Sequence, residues 1–402
     1  MCDISVIVTV YNKKQYIEQC VRTLISVCGA VVEIILVDDG STDGTADILT
    51  NIALWDDRIK VIHKENGGES SARLAGLYAS KGSYIIFVDA DDWIDSDALN
   101  LAIGRLSNNI DILVGTWVVH DGLSAVIEKN GIQEGIYREG ENKEYFSKNM
   151  IYSNSVNIIG ISGSLNTKII KKELIVKQLE AFPKGITYAE DDFVTYACLA
   201  NADVVVVTNI PFYHYIMRYD SITHNNIPFI LTDINKGYQY FLNQISGIPN
   251  YSLYKKQIEI FMQRMVIFGM SKYMSLNDNA SLDWYQFDRQ ILQNVNNIII
   301  YGAGRVGKCY YRQFEKDSNI NIDAWVDVNY LHYEEAGLPV SSIDIIQNYS
   351  DDMIIIAVDN SRAAIQIKKN LLSRFNISEE KMIWIKPKNI IDDMCNELLE
   401  DN

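Results

Sequence analysis

Two apolar runs near the start of this chain end in acidic turns. Glu33 to Val37 leads into Asp38-Asp39-Gly40-Ser41, and Tyr84 to Val88 leads into Asp89-Ala90-Asp91-Asp92. Strand-length and helix-length patterns alternate around them: a strand over Ser5–Val10, a helix with Tyr16, Cys20, Leu24 and Val27 on one face, a strand over Lys60–His63 and a helix over Ser70–Ala79. Asn12 is in position to cap the first helix. Strands separated by helices make a parallel α/β sheet, and ligands bind such a sheet outside the C-terminal ends of its strands. Both acidic turns are therefore expected at one binding edge.

The chain of 402 residues exceeds what one hydrophobic core usually serves, so more than one domain is expected. With 48% hydrophobic and 22% charged residues it has the composition of a folded protein. A net charge of -16 argues against a broad nucleic-acid or anionic-lipid surface, both of which need a positive field. Cys2, Cys20, Cys28, Cys198, Cys309 and Cys395 show no CxxC pairing and read as reduced thiols of a cytoplasmic protein. MCDISVIVTVYNKK turns polar too soon for a signal-peptide core, and no apolar run approaches the roughly 20 residues of a membrane span. A soluble protein is expected, with membrane contact limited to a peripheral one at the inner face or to a lipid-linked substrate.

From Asn100 to Ile186 the pattern loosens, with a strand over Asp111–Val119 and a polar loop to about Asn142. A helix over Glu190–Leu199 and a strand over Val204–Thr208 follow, then a stretch from Phe229 to Gln293 that reads as helical. That stretch could carry a homo-oligomer contact, although no heptad marks one. At Asn297 a second α/β unit begins: strand Ile298–Tyr301, the turn Gly302-Ala303-Gly304-Arg305-Val306-Gly307, a helix through Phe314, and a strand Ile322–Val326 ending at Asp327. Strand Met353–Val358 and helix Ser361–Phe375 complete it. The expected division is 1–228, a helical segment 229–296, and a small Rossmann-like domain 297–402.

Asp89-x-Asp91 has the chemistry to hold Mg or Mn, because such hard cations take oxygen ligands and need few protein carboxylates when phosphates complete the shell. Each acidic turn also has a plainer reading. Asp-Ala-Asp-Asp can simply cap the helix near Trp93, and Asp38-Asp39 the turn before Thr42–Leu49. The combination is more specific than either turn.

SVIVTVYN, VDDGSTDGT, the Asn66-Gly67-Gly68 segment leading to Ala72-Arg73, and VDADDW, in that order, resemble the successive motifs of family 2 glycosyltransferases with the GT-A fold. The resemblance covers roughly residues 1 to 225. It implies an inverting transferase that takes a nucleotide-sugar, usually a UDP-sugar, with Mg or Mn, and a glycan, lipid-linked or protein-linked acceptor in bacterial cell-surface polysaccharide synthesis. It puts nucleobase and ribose against Val10, Asn12, Asp38 and Asp39, with Arg73 near the nucleotide. Asp91 falls on the metal, and Asp89 on the ribose or the metal's water shell.

Tyr188-Ala189-Glu190-Asp191-Asp192-Phe193 resembles the family's Glu-Asp motif, which makes Asp191 the base that deprotonates the acceptor and Glu190 its support. The tandem Asp191-Asp192 departs from the usual pattern and leaves the choice between them open. Arg218 and His224 resemble groups that reach the leaving diphosphate.

Gly302-x-Gly304-x2-Gly307 with Asp327 downstream has the spacing of a dinucleotide fingerprint; a tight strand-to-helix turn is the plainer reading of the same glycines. With no constellation for hydride transfer beside it, this domain reads as a noncatalytic module. Two other functions stay open: a nucleotidyltransferase, for which the Gly-rich basic loop is not seen near Val10 to Lys14, and a nucleotide- or NAD(H)-sensing protein that uses the C-terminal domain.

Overall fold

The structure is a computed structural model that describes residues 3–389 apart from 28, 121–124, 154, 187, 218–230, 277–284, 293–294, 336 and 350–351. The chain divides into two compact units, Met1–Val266 and Ile267–Asn402.

The first unit opens with β1 (Ile4–Val10), α1 (Ile17–Ile25), β2 (Val31–Asp38), α2 (Thr45–Ile52), β3 (Ile59–His63), α3 (Glu69–Ala79) and β4 (Tyr84–Asp89). It continues with β5 (Trp93–Ile94), α4 (Ser96–Ile103), β6 (Ile112–His120), β7 (Ala125–Glu128), β8 (Gly135–Tyr137), α5 (Glu141–Asn149), β9 (Tyr152–Ser153) and β10 (Ser155–Ile159). Then come β11 (Lys168–Lys171), α6 (Lys172–Ala181), α7 (Glu190–Asn201), β12 (Val205–Ile216), α8 (Leu231–Gln244) and α9 (Tyr251–Leu276), the last of which runs past the unit boundary.

One sheet organises this unit in the order β3-β2-β1-β4-β11-β6-β12-β5, with β7 on β6 and β8 on β12. β3, β2, β1 and β4 are parallel; β11 runs antiparallel to both neighbours. The parallel half is as apolar as its sequence because helices cover both faces. On one face α1 sets Ile17, Cys20, Val21 and Leu24 against β1 and β4, each buried large aliphatic contributing about 1.5–3 kcal/mol. On the other α3 packs against β1 and β2, where Gly76 meets Ile7 so closely that a Cβ would overlap Ile7 Cγ2.

Asn12 is not a helix cap. Its φ of 52° is left-handed, the residue before α1 is Tyr16, and the Asn12 amide spans instead to the β2 loop. The loosely patterned stretch 100–186 holds β7 to β11 as well as β6, strands too short for periodicity to reveal. Val205–Ile216 forms one strand, with register shifts around Pro211 that interrupt its pairing to β6. α8 and the start of α9 pack inside the first unit: Tyr240 Oη donates to Gln178 O at 3.1 Å, and Gly237 lies against the Phe193 ring.

The second unit contains β13 (Tyr285–Gln286), β14 (Asn297–Tyr301), α10 (Arg305–Glu315), β15 (Asn321–Asp327), α11 (Tyr330–Glu335), β16 (Ser341–Ser342), β17 (Met353–Ile356), α12 (Ser361–Phe375), β18 (Met382–Ile383) and β19 (Lys388–Asn389). Its main sheet is parallel, ordered β16-β15-β14-β17-β18. At the β14–α10 turn Gly302 has φ 109° and Gly307 leaves no room for a Cβ against Gly302 O. Asp327 Oδ2 accepts from Ala303 N at 2.7 Å and Oδ1 from Asn329 N at 2.8 Å, so both carboxylate oxygens take up local amides.

Candidate active site

β1 ends between the two acidic turns. Val10 pairs with Asp38 of β2, and Thr9 with Asp89 of β4. Asp38 Oδ1 accepts from Ser41 N at 3.0 Å and Oδ2 contacts His63 Nδ1 at 2.9 Å. Burial alone would raise this carboxyl; the Ser41 and His63 contacts carry it below its ordinary value. Asp39 accepts from Gly67 N at 3.0 Å, Gly68 N at 2.8 Å and the Lys64 ammonium, and so pins the Asn66-Gly67-Gly68 loop to the strand end. Asn12 Oδ1 accepts from Thr42 N at 2.8 Å, and Asn12 N donates to Ser41 Oγ at 2.9 Å. The turns after β1 and β2 are therefore one hydrogen-bonded rim.

After β4 each acid has a different environment. Asp89 Oδ2 accepts from Asn166 Nδ2 at 2.7 Å, and burial, together with the charges of Glu69 and Asp92, pushes its carboxyl well above the usual range. Asp91 pairs with Lys13 Nζ at 2.6 Å while its side chain stays 23% exposed. Asp92 points inward, accepting from Tyr213 Oη at 2.7 Å and Ile216 N at 3.1 Å.

Among the described residues, no group of three or more His, Cys, Asp or Glu is gathered into a ready metal cage. The donor set at Asp89 and Asp91 nevertheless fits a hard divalent cation that keeps other oxygen ligands: both are oxygen donors, and Glu69 and Asp92 put further carboxyl groups beside Asp89.

The third acidic group comes from α7. Ala189, left-handed at φ 55°, turns the chain so that Glu190, Asp191 and Asp192 fill the first helical turn. Arg73, buried on α3, meets Asp191 through both Nη atoms, one contact at 3.2 Å, and also bonds Glu69; Glu190 lies 3.6 Å away. Burial raises the Glu190 carboxyl to about 7 against the pull of Arg73, and its Oε1 makes no hydrogen bond. Burial and the Asp191 charge bring Asp192 to about 7 as well.

Asp38, Asp39, Val10 and Asn12 thus form one rim. Asp89 and Asp91 lie at the end of the adjacent strand, and Arg73 ties α3 to Glu190 and Asp191. Arg218 and His224 fall outside the described residues. Lys13, Glu69, Asn166 and Lys168 were not singled out by the sequence. Glu69 was findable, since it stands four residues before Arg73 on a helix. Asn166 was not, because only the tertiary fold brings it to Asp89.

Residues 5–172 match the family model described as glycosyl transferase family 2. EpsH of Bacillus subtilis is 29% identical over 221 residues, 54% of this chain and 62% of that protein. The poly(ribitol-phosphate) beta-glucosyltransferase of Bacillus spizizenii is 27% identical over 297 residues, 71% of this chain and 44% of the relative. This chain therefore spans less than two thirds of the length of either relative. Among solved structures, S. aureus TarS 1-349 in complex with UDP-GlcNAc superposes with a TM-score of 0.54 at 22% identity, covering 70% of this chain and 77% of that one, a likeness of fold. The matched residues 5–172 lie in the first unit, which has the GT-A fold of that structure.

Proposed function

We propose that this chain is an inverting glycosyltransferase that moves a sugar from a UDP-sugar to a hydroxyl of a glycan or glycoconjugate in cell-surface polysaccharide synthesis. Its catalytic domain is 1–228, followed by a helical segment 229–296 and a noncatalytic Rossmann-like module 297–402. The observation that carries this reading is the convergence of three acidic groups in the first unit. Asp38 and Asp89 flank the end of β1, and Asp191 is held by Arg73 on the α3 that packs against that strand. The family match over residues 5–172, the UDP-GlcNAc bound to TarS and the glucosyltransferase relative support it.

In the proposed reaction the Asp38–Asn12 rim receives base and ribose, and Asp91 with Asp89 would hold Mg or Mn. When bound, that cation neutralises the diphosphate charge that builds up as the leaving group departs. The acceptor oxygen attacks the anomeric carbon, the bond to the diphosphate breaks, and the acceptor proton passes to Asp191. Single displacement from the face opposite the diphosphate inverts the anomeric centre. Arg73, behind Asp191, orients the carboxylate and does not take a proton. No described helix is long and apolar enough to cross a membrane. A lipid-linked acceptor, if used, would be met at the inner face of the membrane.

Calorimetry of the full chain with UDP, GDP, dTDP and CMP, with and without Mn, tests this. Binding of UDP that needs Mn and is lost in Asp91→Asn is the expected result. A folded chain that binds none of the four would remove the transferase reading.

A further inference from the structure

Lys168, at the start of β11, is only 1% exposed. Its Nζ donates to Ser162 O at 2.8 Å, Ser164 O at 2.5 Å and Thr167 Oγ1 at 3.1 Å, so all three ammonium hydrogens are used. Together they close the turn that leads into the short 3-10 helix Leu165–Thr167. An apolar side chain here would take the donor from the part-buried Ser162 O and Ser164 O and from the buried Thr167 Oγ1, and so loosen the turn.

The turn has two working sides. On one, Asn166 Nδ2 donates to Asp89 Oδ2 at 2.7 Å and to Tyr213 Oη at 3.1 Å. On the other, the backbone at Gly163 lies against α7, where a Cβ would fall on the Asp192 carboxylate, and Tyr196 Oη, one helical turn further, donates to Ile161 O at 3.3 Å. One turn therefore touches both the β4 acid and the helix that carries Asp191.

We propose that Lys168 is a positioning residue: by closing the 162–167 turn it sets Asp89 relative to Asp191, and Asp192 is the acid packed on that turn, not the group that takes the acceptor proton. This rests on the transferase reading above. Burial brings the Lys168 ammonium down to about 7, with Asp191 and Asp192 opposing the fall. Asp192, raised by burial and by Asp191, is in turn drawn down by Lys168. Each charge thus offsets part of the other's desolvation.

The test compares full-length Lys168→Met, Asp192→Asn and Asp191→Asn. Hydrogen exchange needs no donor. In Lys168→Met, amides of both 161–167 and 190–196 should exchange faster while β2 and β3 stay unchanged; acceleration confined to 161–167, or spread over the whole unit, would overturn the coupling.

Turnover is read as UDP release from UDP-GlcNAc, UDP-glucose and UDP-galactose. Lys168→Met should lose roughly 10- to 100-fold in kcat at saturating UDP-sugar and Mn, since misplacement by an ångström costs that much. Unchanged kcat per folded molecule makes Lys168 merely structural. Asp192→Asn should keep at least about a tenth of kcat whereas Asp191→Asn falls by about 10²-fold or more; equal losses overturn the assignment of Asp192. A wild type that binds no UDP counts against the transferase reading, and the exchange result still decides the coupling.

Discussion

Arg73 on α3 and Asp191 on α7 stand 118 positions apart and meet through two contacts, Nη1 to Oδ1 and Nη2 to Oδ2. The guanidinium side is 1% exposed and the carboxylate side 30%, so Asp191 is gripped from the protein interior and open towards solvent. A fork that fixes the plane of a carboxylate while leaving one side free is suited to a proton acceptor that must be aimed.

Asp191→Asn keeps the shape of that pair and removes the proton-accepting charge. Turnover should fall by about 10²- to 10⁴-fold, the usual contribution of a general base, with UDP affinity unchanged in calorimetry. Full activity would redirect attention to Asp192. Arg73→Met should instead lower stability by about 1–3 kcal/mol in urea unfolding, because it removes charge-assisted hydrogen bonds while Asp191 and Glu69 keep access to water. Retained stability would mean that the pair carries little of the packing between α3 and α7.

What the sequence revealed follows from how each part is held. β1, β2 and β4 are covered on both faces, so their composition is nearly all apolar and their acidic ends stand out. The antiparallel half was obscure for the opposite reason. β11 is four residues long with a lysine at each end, and its first lysine is buried for a turn that lies outside the strand. Asn12 misled because a polar residue before an apolar periodic stretch resembles a cap, whereas its amide here joins two loops. The acidic first turn of α7 was legible, but its partner Arg73 needed the fold.

Lys13 sits on the carboxylate expected to hold the cation, with Nζ 2.6 Å from Asp91 Oδ2. A partly exposed pair of this kind is worth up to about 1 kcal/mol. Lys13→Met should therefore lower the Mn concentration needed for half-maximal UDP binding, by up to about fivefold. A higher requirement would mean that Lys13 serves the diphosphate instead of competing with the metal.

Gly76 is the point where α3 comes closest to β1. An alanine Cβ would overlap Ile7 Cγ2, a branched atom in a strand that cannot yield. Gly76→Ala should cost about 1–3 kcal/mol in denaturant unfolding despite the better helix propensity of alanine. In an Ile7→Ala background the same change should cost less. Equal costs in both backgrounds would show that the contact is not the cause.

The stability of the first unit should carry a pH signature from Lys143. Its Nζ donates to Ala202 O at 2.5 Å, and burial pushes the ammonium down to about 8, with Asp203 and Asp111 pulling the other way. In the unfolded chain the same group titrates near ~10.4. Below pH 8 both states hold the proton, and the folded state bears the full cost of burying it. Between pH 8 and ~10.4 the unfolded chain holds a proton that the folded chain has released, so this group's contribution makes stability rise with pH. Lys143→Met removes that slope. Its stability relative to wild type should therefore be greatest near neutral pH and decline towards pH ~10.4, by less than ~3 kcal/mol because the ammonium keeps some water. Urea unfolding of both proteins at several pH values reads the difference, in which every other titration common to the two cancels. A pH-independent difference would mean that Lys143 reaches solvent and is charged throughout.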